Sequence, residues 1–301
     1  MIMRRALTLI EALVVILIIA ILLGLLLPAV QRIRDVAIRT RSLNNVRQIA
    51  LAVQHYGSSH GDRLPVLDGS VGSPNHPRSV YVAILPLIEQ GALYDRLFNS
   101  PSSAAPGWLY IPQYVSPADP SVDQRTRDQY ASYALNALAF QPGSSLTASF
   151  PDGLSNTICT AEHYARCGNN YVWAQHSTMN PGNRRATFAD GGHCPRLNGL
   201  CYADVTPVTS GNPPVSGPNF VPVGPRHPDD PLDLEMKPIT TPFQAAPSLE
   251  DCHYMIPQTP HRSGMITSLM DGSVRIIAPT ITQATFWGAV TPDRGEILAD
   301  W

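Results

Sequence analysis

The sequence is poor in charge and has only one long apolar run. Charged residues make up 15% of its 301 residues, below the usual share of about 25%, and the formal net charge is −2. This charge balance gives no basic footprint for nucleic acid. The patterns G-x-G-x-x-G, P-loop and H-E-x-x-H are missing, so no familiar signature of nucleotide binding or zinc proteolysis is present.

Proline is abundant instead. Its 29 residues are nearly twice the usual share of about 5%, which predicts many loops and much β or irregular structure. The chain is long enough for a sizeable core, as one large domain or two small ones. The prolines are densest in residues 195–247, which we interpret as an extended insertion over the surface rather than a second domain.

The apolar run covers residues 7–30, LTLIEALVVILIIAILLGLLLPAV. At about 1.5 Å per residue this helix spans roughly 36 Å, enough to cross a hydrocarbon core of about 30 Å. We therefore predict one transmembrane helix, with the rest of the chain on one side of the membrane. A cleaved secretory signal is disfavoured, because the run is too long, Glu11 interrupts it and no A-x-A site follows.

Glu11 is the unusual residue in this run. An unpaired carboxylate in a membrane segment costs about 2.5 kcal/mol or more, so it needs a partner or a function. In the simplest alternative, the helix end lies among the headgroups and Glu11 is in water.

The N-terminus, Arg4-Arg5-Ala6 followed by Leu7 to Glu11 and then Pro28, resembles that of type IV prepilins and pseudopilins. The resemblance implies a leader of residues 1–6, cleavage after Ala6 by a prepilin peptidase and N-methylation of Leu7. Glu11 is then fifth in the mature chain and Pro28 twenty-second, as in that family. Ala6 replaces the family's Gly, and Leu7 its usual Phe. Both a cleaved subunit and an uncleaved membrane anchor therefore remain open.

The orientation in the membrane has two opposing indications. Arginines are fewer before the run, at Arg4 and Arg5, than after it, at residues 32, 34, 39 and 41. The positive-inside rule applied to this count places the N-terminus outside. The prepilin resemblance implies the reverse, with an N-terminus in the cytoplasm, a single pass of the inner membrane and a globular domain in the periplasm or at the cell surface. We follow the resemblance.

Residues 31–57 predict an amphipathic continuation of the same helix. Apolar residues from Ile33 to Val53 recur at intervals of three and four, with arginines and other polar residues on the remaining faces. Pro28 is expected to kink the helix rather than end it. Gly57 is the predicted stop, since glycine readily adopts the left-handed conformation after a helix end.

Residues 58–301 are predicted to form the exported globular domain. Residues 80–98 predict a helical segment broken at Pro86, and residues 281–290 a closing helix anchored by Phe286 and Trp287. Strands are predicted at residues 110–115, 130–140 and 157–162. Asp271-Gly272 predicts a two-residue type I′ hairpin turn, which would pair Leu269 with Val274 and Thr267 with Ile276.

Motifs spread along the chain resemble a large bacterial pilin-like family of unknown function, numbered 1559. They are Asn44-Asn45-Val46-Arg47-Gln48-Ile49, Leu85-Pro86-Leu87-Ile88-Glu89-Gln90, Ser116-Pro117-Ala118-Asp119-Pro120, Asp152-Gly153-Leu154-Ser155-Asn156-Thr157, and the H-x9-D-G spacing of His261, Asp271 and Gly272. The implied fold is α+β, a long N-terminal helix packed on an antiparallel sheet. The family often has cysteines at the positions of Ser42 and Ser116, which suggests a disulfide lost as a pair.

Five cysteines are present, and disulfides are their default use in an exported protein. Local pairs Cys159–Cys167 and Cys194–Cys201 are plausible and would leave Cys252 over, although spacing alone does not determine the pairing. The spacings C-x7-C and C-x6-C differ from usual zinc-ligand pairs, so we predict no metal site. No cofactor is predicted either.

The H-x9-D-G element invites a catalytic interpretation of His261 and Asp271. No paired nucleophile or oriented base accompanies them in the sequence, whereas turn chemistry explains Asp271-Gly272, so a structural role is favoured. The leading hypothesis is a structural pilin-like subunit whose partners are the membrane, prepilin peptidase and other pilin-like subunits. Alternatives are an uncleaved, membrane-tethered binding module and, third, a surface hydrolase.

Overall fold

The computed structural model describes residues 9–67, 79–99, 110–122, 130–141, 143–168, 170–173, 183–189, 241–252, 256–293, 295 and 301. The chain divides into two compact units, Met1–Arg41 and Ser42–Trp301. The predicted leader and residues 195–240 of the predicted insertion lie outside the described residues. The last part of that insertion, residues 241–247, is described and carries a short strand.

Helices open and close the described chain. The α-helices are α1 (Leu9–Ser59), α2 (Val80–Ala83), α3 (Gly91–Asn99) and α4 (Gln283–Val290), and the 3-10 helices are Leu85–Ile88 and Pro112–Tyr114. The predicted long N-terminal helix and closing helix are thereby confirmed. Phe286 and Trp287 are buried in α4, as expected of its anchors.

Helix α1 runs beyond the predicted stop at Gly57 and ends at Ser59. Gly57 is instead a close-packing position, because a Cβ added there would lie 2.9 Å from Cγ of Leu146. The chain turns at Gly61 and Asp62, whose φ angles are +66° and +71°. The N–H of Asp62 donates to the carbonyl of Gly57 at 2.9 Å and so closes the helix end.

The helical segment over residues 80–99 is broken as predicted. Ser79 caps α2 by accepting a hydrogen bond from the N–H of Val82 at 3.3 Å. Pro86 lies at the start of the 3-10 turn that follows, and Glu89 ends that turn with a left-handed φ of 65°. A new helix, α3, then begins at Gly91.

The strands form one five-stranded sheet and two small ones. They are β1 (Tyr133–Asn136), β2 (Ile158–Glu162), β3 (Arg166–Cys167), β4 (Asn170–Trp173), β5 (Asn183–Arg185), β6 (Thr187–Phe188), β7 (Gln244–Ala245), β8 (Gln258–Thr259), β9 (Met265–Leu269) and β10 (Val274–Ile277). The main sheet has the order β10-β9-β2-β1-β6. Its first four strands are antiparallel, as predicted, whereas β6 pairs parallel with β1 and makes the sheet mixed. The α+β class is confirmed.

The main sheet separates two apolar clusters. Along β1, Tyr133 and Leu135 belong to one cluster and Ala134 to the other, as the alternation of side chains across a strand requires. The first cluster contains the buried side chains of α1, which include Val46, Ile49 and Val53. The second contains those of α4. The sheet is therefore covered on both faces, which explains why every residue of β9 is buried.

Two strand predictions are corrected. Residues 110–115 form no strand, and Pro112–Tyr114 is a 3-10 helix instead. The reason is a long-range contact, because Nδ2 of Asn45 in α1 donates to the carbonyls of Pro112 at 3.3 Å and Val115 at 3.2 Å. The strand predicted over residues 130–140 is confined to Tyr133–Asn136.

The predicted hairpin is present, but its register is wrong by one residue. Val274 pairs with Ser268 rather than with Leu269, and Ile276 pairs with Ile266. A type I′ turn needs a positive φ at both central residues, and Gly272 (φ +82°) has one while Asp271 does not. The loop therefore takes a third residue, Met270, and the N–H of Gly272 donates to the carbonyl of Leu269 at 3.0 Å.

Candidate functional site

The residues predicted to act in processing and assembly belong to the N-terminal unit. Ala6 and Leu7 lie outside the described residues. Glu11 is in the first turn of α1 and exposed, and Pro28 lies inside the helix.

The first part of α1 is exposed on every side. From Leu9 to Val36, its exposed large apolar side chains are each 47–80% accessible. Within the described residues, α1 is the one helix long and apolar enough to cross a membrane. Removing apolar surface from water is favourable by about 25 cal/mol per Å² of accessible area. This stretch therefore requires lipid or other apolar helices around it.

The His261 end of the H-x9-D-G element lies over a buried carboxylate. Nε2 of His261 is 3.6 Å from Oε1 of Glu162, a residue with no solvent exposure. Oε2 of Glu162 accepts hydrogen bonds from Oγ1 of Thr259 at 2.6 Å and from the N–H of Ile266 at 3.1 Å. The N–H of His261 donates to Oγ1 of the same threonine at 3.1 Å. These contacts fasten the start of β9 to the end of β2.

The Asp271-Gly272 end of the element lies against α1. Oδ1 of Asp271 accepts from the N–H and hydroxyl of Ser273, at 2.8 and 2.6 Å, and so shapes the turn. A Cβ added to Gly272 would lie 2.8 Å from Leu51 of α1. Nε2 of Gln54 donates to the carbonyl of Met270 at 2.8 Å. The element thus ties strand β9 to β2 at one end and to α1 at the other.

Glu162 was not singled out from the sequence as a buried, hydrogen-bonded carboxylate, although the sequence contains a signal for it. It is the only charged residue in the apolar strand Ile158–Glu162, and a buried charge must be paired or hydrogen-bonded. A carboxylate beside an imidazole is also a common arrangement in catalysis. Here its second oxygen accepts hydrogen bonds from the hydroxyl of Thr259 and the backbone N–H of Ile266, which hold the carboxylate in place. Among the described residues, no group of three or more His, Cys, Asp or Glu side chains is placed to hold a metal.

Ser42 and Ser116 are brought together, as the family pattern suggested. Their Oγ atoms are 2.9 Å apart in a buried hydrogen bond. Beside them, Nδ2 of Asn45 donates to the hydroxyl of Tyr133 at 3.2 Å. Burial raises the pKa of that phenol, so it remains neutral. We call residues 42–59 of α1 the docked part, because their apolar side chains pack in the core of the domain. The polar cluster joins this docked part to the loop at residue 116 and to β1.

Asp119 is a second buried carboxylate for which sequence analysis gave no role. Its Oδ1 accepts from the N–H and hydroxyl of Ser121, at 2.8 and 2.6 Å. Its Oδ2 accepts from the hydroxyl of Ser132 at 2.6 Å and from the N–H of Ala165 at 2.8 Å. Burial raises the pKa of Asp119, and these four hydrogen bonds oppose that rise. The carboxylate therefore joins three separate chain segments.

The cysteine pairing differs from the local pairs considered above. Cys167 is bonded to Cys252, with their Cα atoms 5.6 Å apart, so the pair Cys159–Cys167 is wrong and Cys252 is not left over. Cys159 is a free thiol in the core, and burial raises its pKa to about 12. Spacing could not reveal this, because the backbone contact from Gly168 to Leu249 brings distant segments together. Cys194 and Cys201 lie outside the described residues.

The fold and these contacts define an α+β protein with an N-terminal helix of membrane-spanning length and composition. Residues 31–148 match the sequence model of a family described as "Protein of unknown function (DUF1559)". The family resemblance is thereby confirmed over that part of the chain, which includes Ser42, Ser116 and Asp119. No curated protein and no solved structure matches the chain.

Proposed function

We propose that this protein is a pilin- or pseudopilin-like structural subunit without enzymatic activity. Its stem (residues 9–41 of α1) is anchored in the inner membrane, with the N-terminus in the cytoplasm and the globular domain in the periplasm or at the cell surface. One observation carries this proposal. From Leu9 to Val30 the large side chains other than that of Glu11 are apolar and exposed on every side, so this stretch requires lipid or neighbouring stems around it.

The disulfide Cys167–Cys252 supports export of the domain. Disulfides persist in oxidising compartments and are rare in the cytosol. This observation opposes the orientation given by counting arginines on the two flanks of the apolar run, and we give it more weight. The count describes a tendency among membrane proteins, whereas a stable disulfide depends directly on the compartment.

Glu11 has a specific role in this proposal. Cleavage by prepilin peptidase after Ala6 would free the amino group of Leu7, and Glu11 would neutralise that group on a neighbouring subunit. Either charge alone is costly in an apolar surrounding, so the pair would fix the register between adjacent stems. Other pilin-like subunits are therefore the expected partners.

The test is a Glu11→Val variant, with Glu11→Gln to separate charge from shape and Leu13→Val as a control in the same helix turn. We expect all variants to fractionate with the membrane. The two Glu11 variants should lose the cross-linked oligomers that wild type and Leu13→Val form. Wild-type levels of oligomer in Glu11→Val would contradict the role of Glu11.

Ala6 favours a second candidate, an uncleaved, membrane-tethered binding module. An Ala6→Gly variant separates the two functions, because it restores the residue found in prepilins. If wild type keeps its leader and Ala6→Gly loses it, the tether is supported. If both lose it, the tether is contradicted.

A further inference from the structure

Four arginines follow the apolar run within a short stretch of α1. They are Arg32, Arg34, Arg39 and Arg41, here called the arginine collar, and Asp35 is the one acidic residue among them. All belong to the N-terminal unit. Within this stretch no ion pair joins Asp35 to these arginines, so the collar retains its positive charge.

The collar surrounds the helix rather than lying on one face. At about 100° per residue, Arg32 and Arg39 project on one side and Arg34 and Arg41 on the opposite side. Exposed Ile33 and Val36 lie between them. Three of the arginines are exposed, and Nε of the half-buried Arg39 is shielded from solvent without a hydrogen-bond partner among the described residues. Apolar side chains between long cationic ones are typical of helices at a membrane surface.

The first two arginines of the collar lie at the depth of lipid headgroups. At about 1.5 Å per residue, Arg32 lies roughly 3 Å and Arg41 roughly 17 Å beyond the end of the apolar run at Val30. A headgroup layer is about 6 Å thick. Side chains on a helix lean toward its N-terminus, which here means back toward the membrane. Arg32 and Arg34 thus fall within the layer. Arg39 and Arg41 lie roughly 8 and 11 Å beyond its outer border, about one Debye length away, so they add to the positive field at the phosphates.

We propose that the arginine collar binds the phosphates of anionic phospholipids in the leaflet on the domain side. This inference rests on the proposed membrane anchor but not on assembly. A guanidinium presents paired donors that match phosphate oxygens, and it remains charged at any physiological pH. A basic residue near an anionic surface strengthens binding about fivefold. Lipid binding would also explain why these arginines lie on the exported flank, where the positive-inside rule does not expect them.

The experiment uses the full chain in detergent, mixed with equal amounts of phosphatidylglycerol and phosphatidylcholine, with bound lipid counted by native mass spectrometry. We expect wild type to retain phosphatidylglycerol at least tenfold over phosphatidylcholine. The variant Arg32→Gln/Arg34→Gln/Arg41→Gln should show no preference. A control with equal loss of charge is Arg47→Gln/Arg63→Gln/Arg262→Gln, at three exposed arginines outside the collar, and it should behave as wild type.

Three outcomes would overturn the collar: equal retention of both lipids by wild type, an unchanged preference in the collar variant, or displacement of phosphatidylglycerol by an equal concentration of glycerol 3-phosphate. The last would indicate a site for free phosphate. Carbonate extraction of the protein from vesicles distinguishes failure of the collar from failure of the membrane anchor. Protein that is extracted contradicts the proposed function itself, whereas protein that stays in vesicles without lipid preference contradicts only the collar.

Discussion

The two parts of helix α1 share one secondary structure but differ in what surrounds them. In the first, residues 9–30, the large side chains other than that of Glu11 are apolar and exposed on every side. In the second, residues 42–59, Val46, Ile49 and Val53 are buried at intervals of three and four while Arg47 is exposed. An amphipathic helix can bury its apolar face against one protein surface. A helix that is apolar on all sides is buried only when lipid or several other helices surround it.

This difference separates two sources of stability within one helix. The docked part depends on the core of its own domain, through apolar contacts and polar ties such as Gln54 to Met270. The stem depends on its environment. Substitutions in the two parts should therefore affect different measurements.

The largest expected difference comes from one substitution made in each part. Ile49→Ala removes a side chain with 0% exposure and should lower the free energy of unfolding of the domain by about 3 kcal/mol. Ile18→Ala, at a residue 52% exposed, should change it by less than about 0.5 kcal/mol. Urea unfolding in detergent, followed by tryptophan fluorescence, measures both. Equal effects would remove the distinction between the two parts.

The disulfide should stabilise the domain and leave the stem unaffected. Its cysteines are 85 residues apart, and a loop of that size gives a loss of up to about 4.6 kcal/mol on reduction. We expect about 3 kcal/mol, seen as a lower thermal midpoint in dithiothreitol, with the helical signal of the stem retained. Cys159→Ala should show the same shift. If Cys159→Ala abolishes the shift, the disulfide instead includes Cys159.

Substitutions in the hairpin turn measure how tightly the turn packs against Leu51 in the docked part of α1. Gly272 and Gly143 both have a positive φ, +82° and +88°, but a Cβ would meet Leu51 only at Gly272. Gly143→Ala should cost about 1 kcal/mol for backbone strain, and Gly272→Ala about 1–2 kcal/mol more for the overlap. Thermal unfolding of the two variants isolates the contact with the helix. Equal losses would show that Leu51 moves aside freely.

The hydrogen bond between Ser42 and Ser116 should give the smallest effect. Each serine-to-alanine change leaves one buried hydroxyl without its partner and should cost about 1–2 kcal/mol. The double variant should cost less than the sum, with a coupling of about 1 kcal/mol in a double-mutant cycle. Additive losses would mean that the two hydroxyls do not interact.

The sequence predicted features set by local pattern. The length of α1, the break at Pro86, strand Ile158–Glu162 and the closing helix follow from apolar spacing, proline and β-branched residues. Features set by distant contacts were missed. Residues 110–115 look like a strand, but Asn45 occupies two of their carbonyls. Asp271-Gly272 suits both two- and three-residue loops, and the choice changes the register.

The same division holds for the candidate site. The approach of Ser42 and Ser116 was indicated by the family pattern and is observed, whereas the assembly roles of Glu11 and Pro28 stay predictions. The pairing of Cys167 with Cys252 and the burial of Glu162 depend on how segments far apart in the chain pack. Neither is encoded within a short window of sequence.

The most direct test of the pilin-like proposal is the mass of the mature N-terminal peptide, measured on protein purified from membranes. The proposal predicts a chain that begins at N-methylated Leu7, with Glu11 as its fifth residue. A chain that retains Met1 and residues 2–6 would contradict processing and leave the protein as a tethered domain.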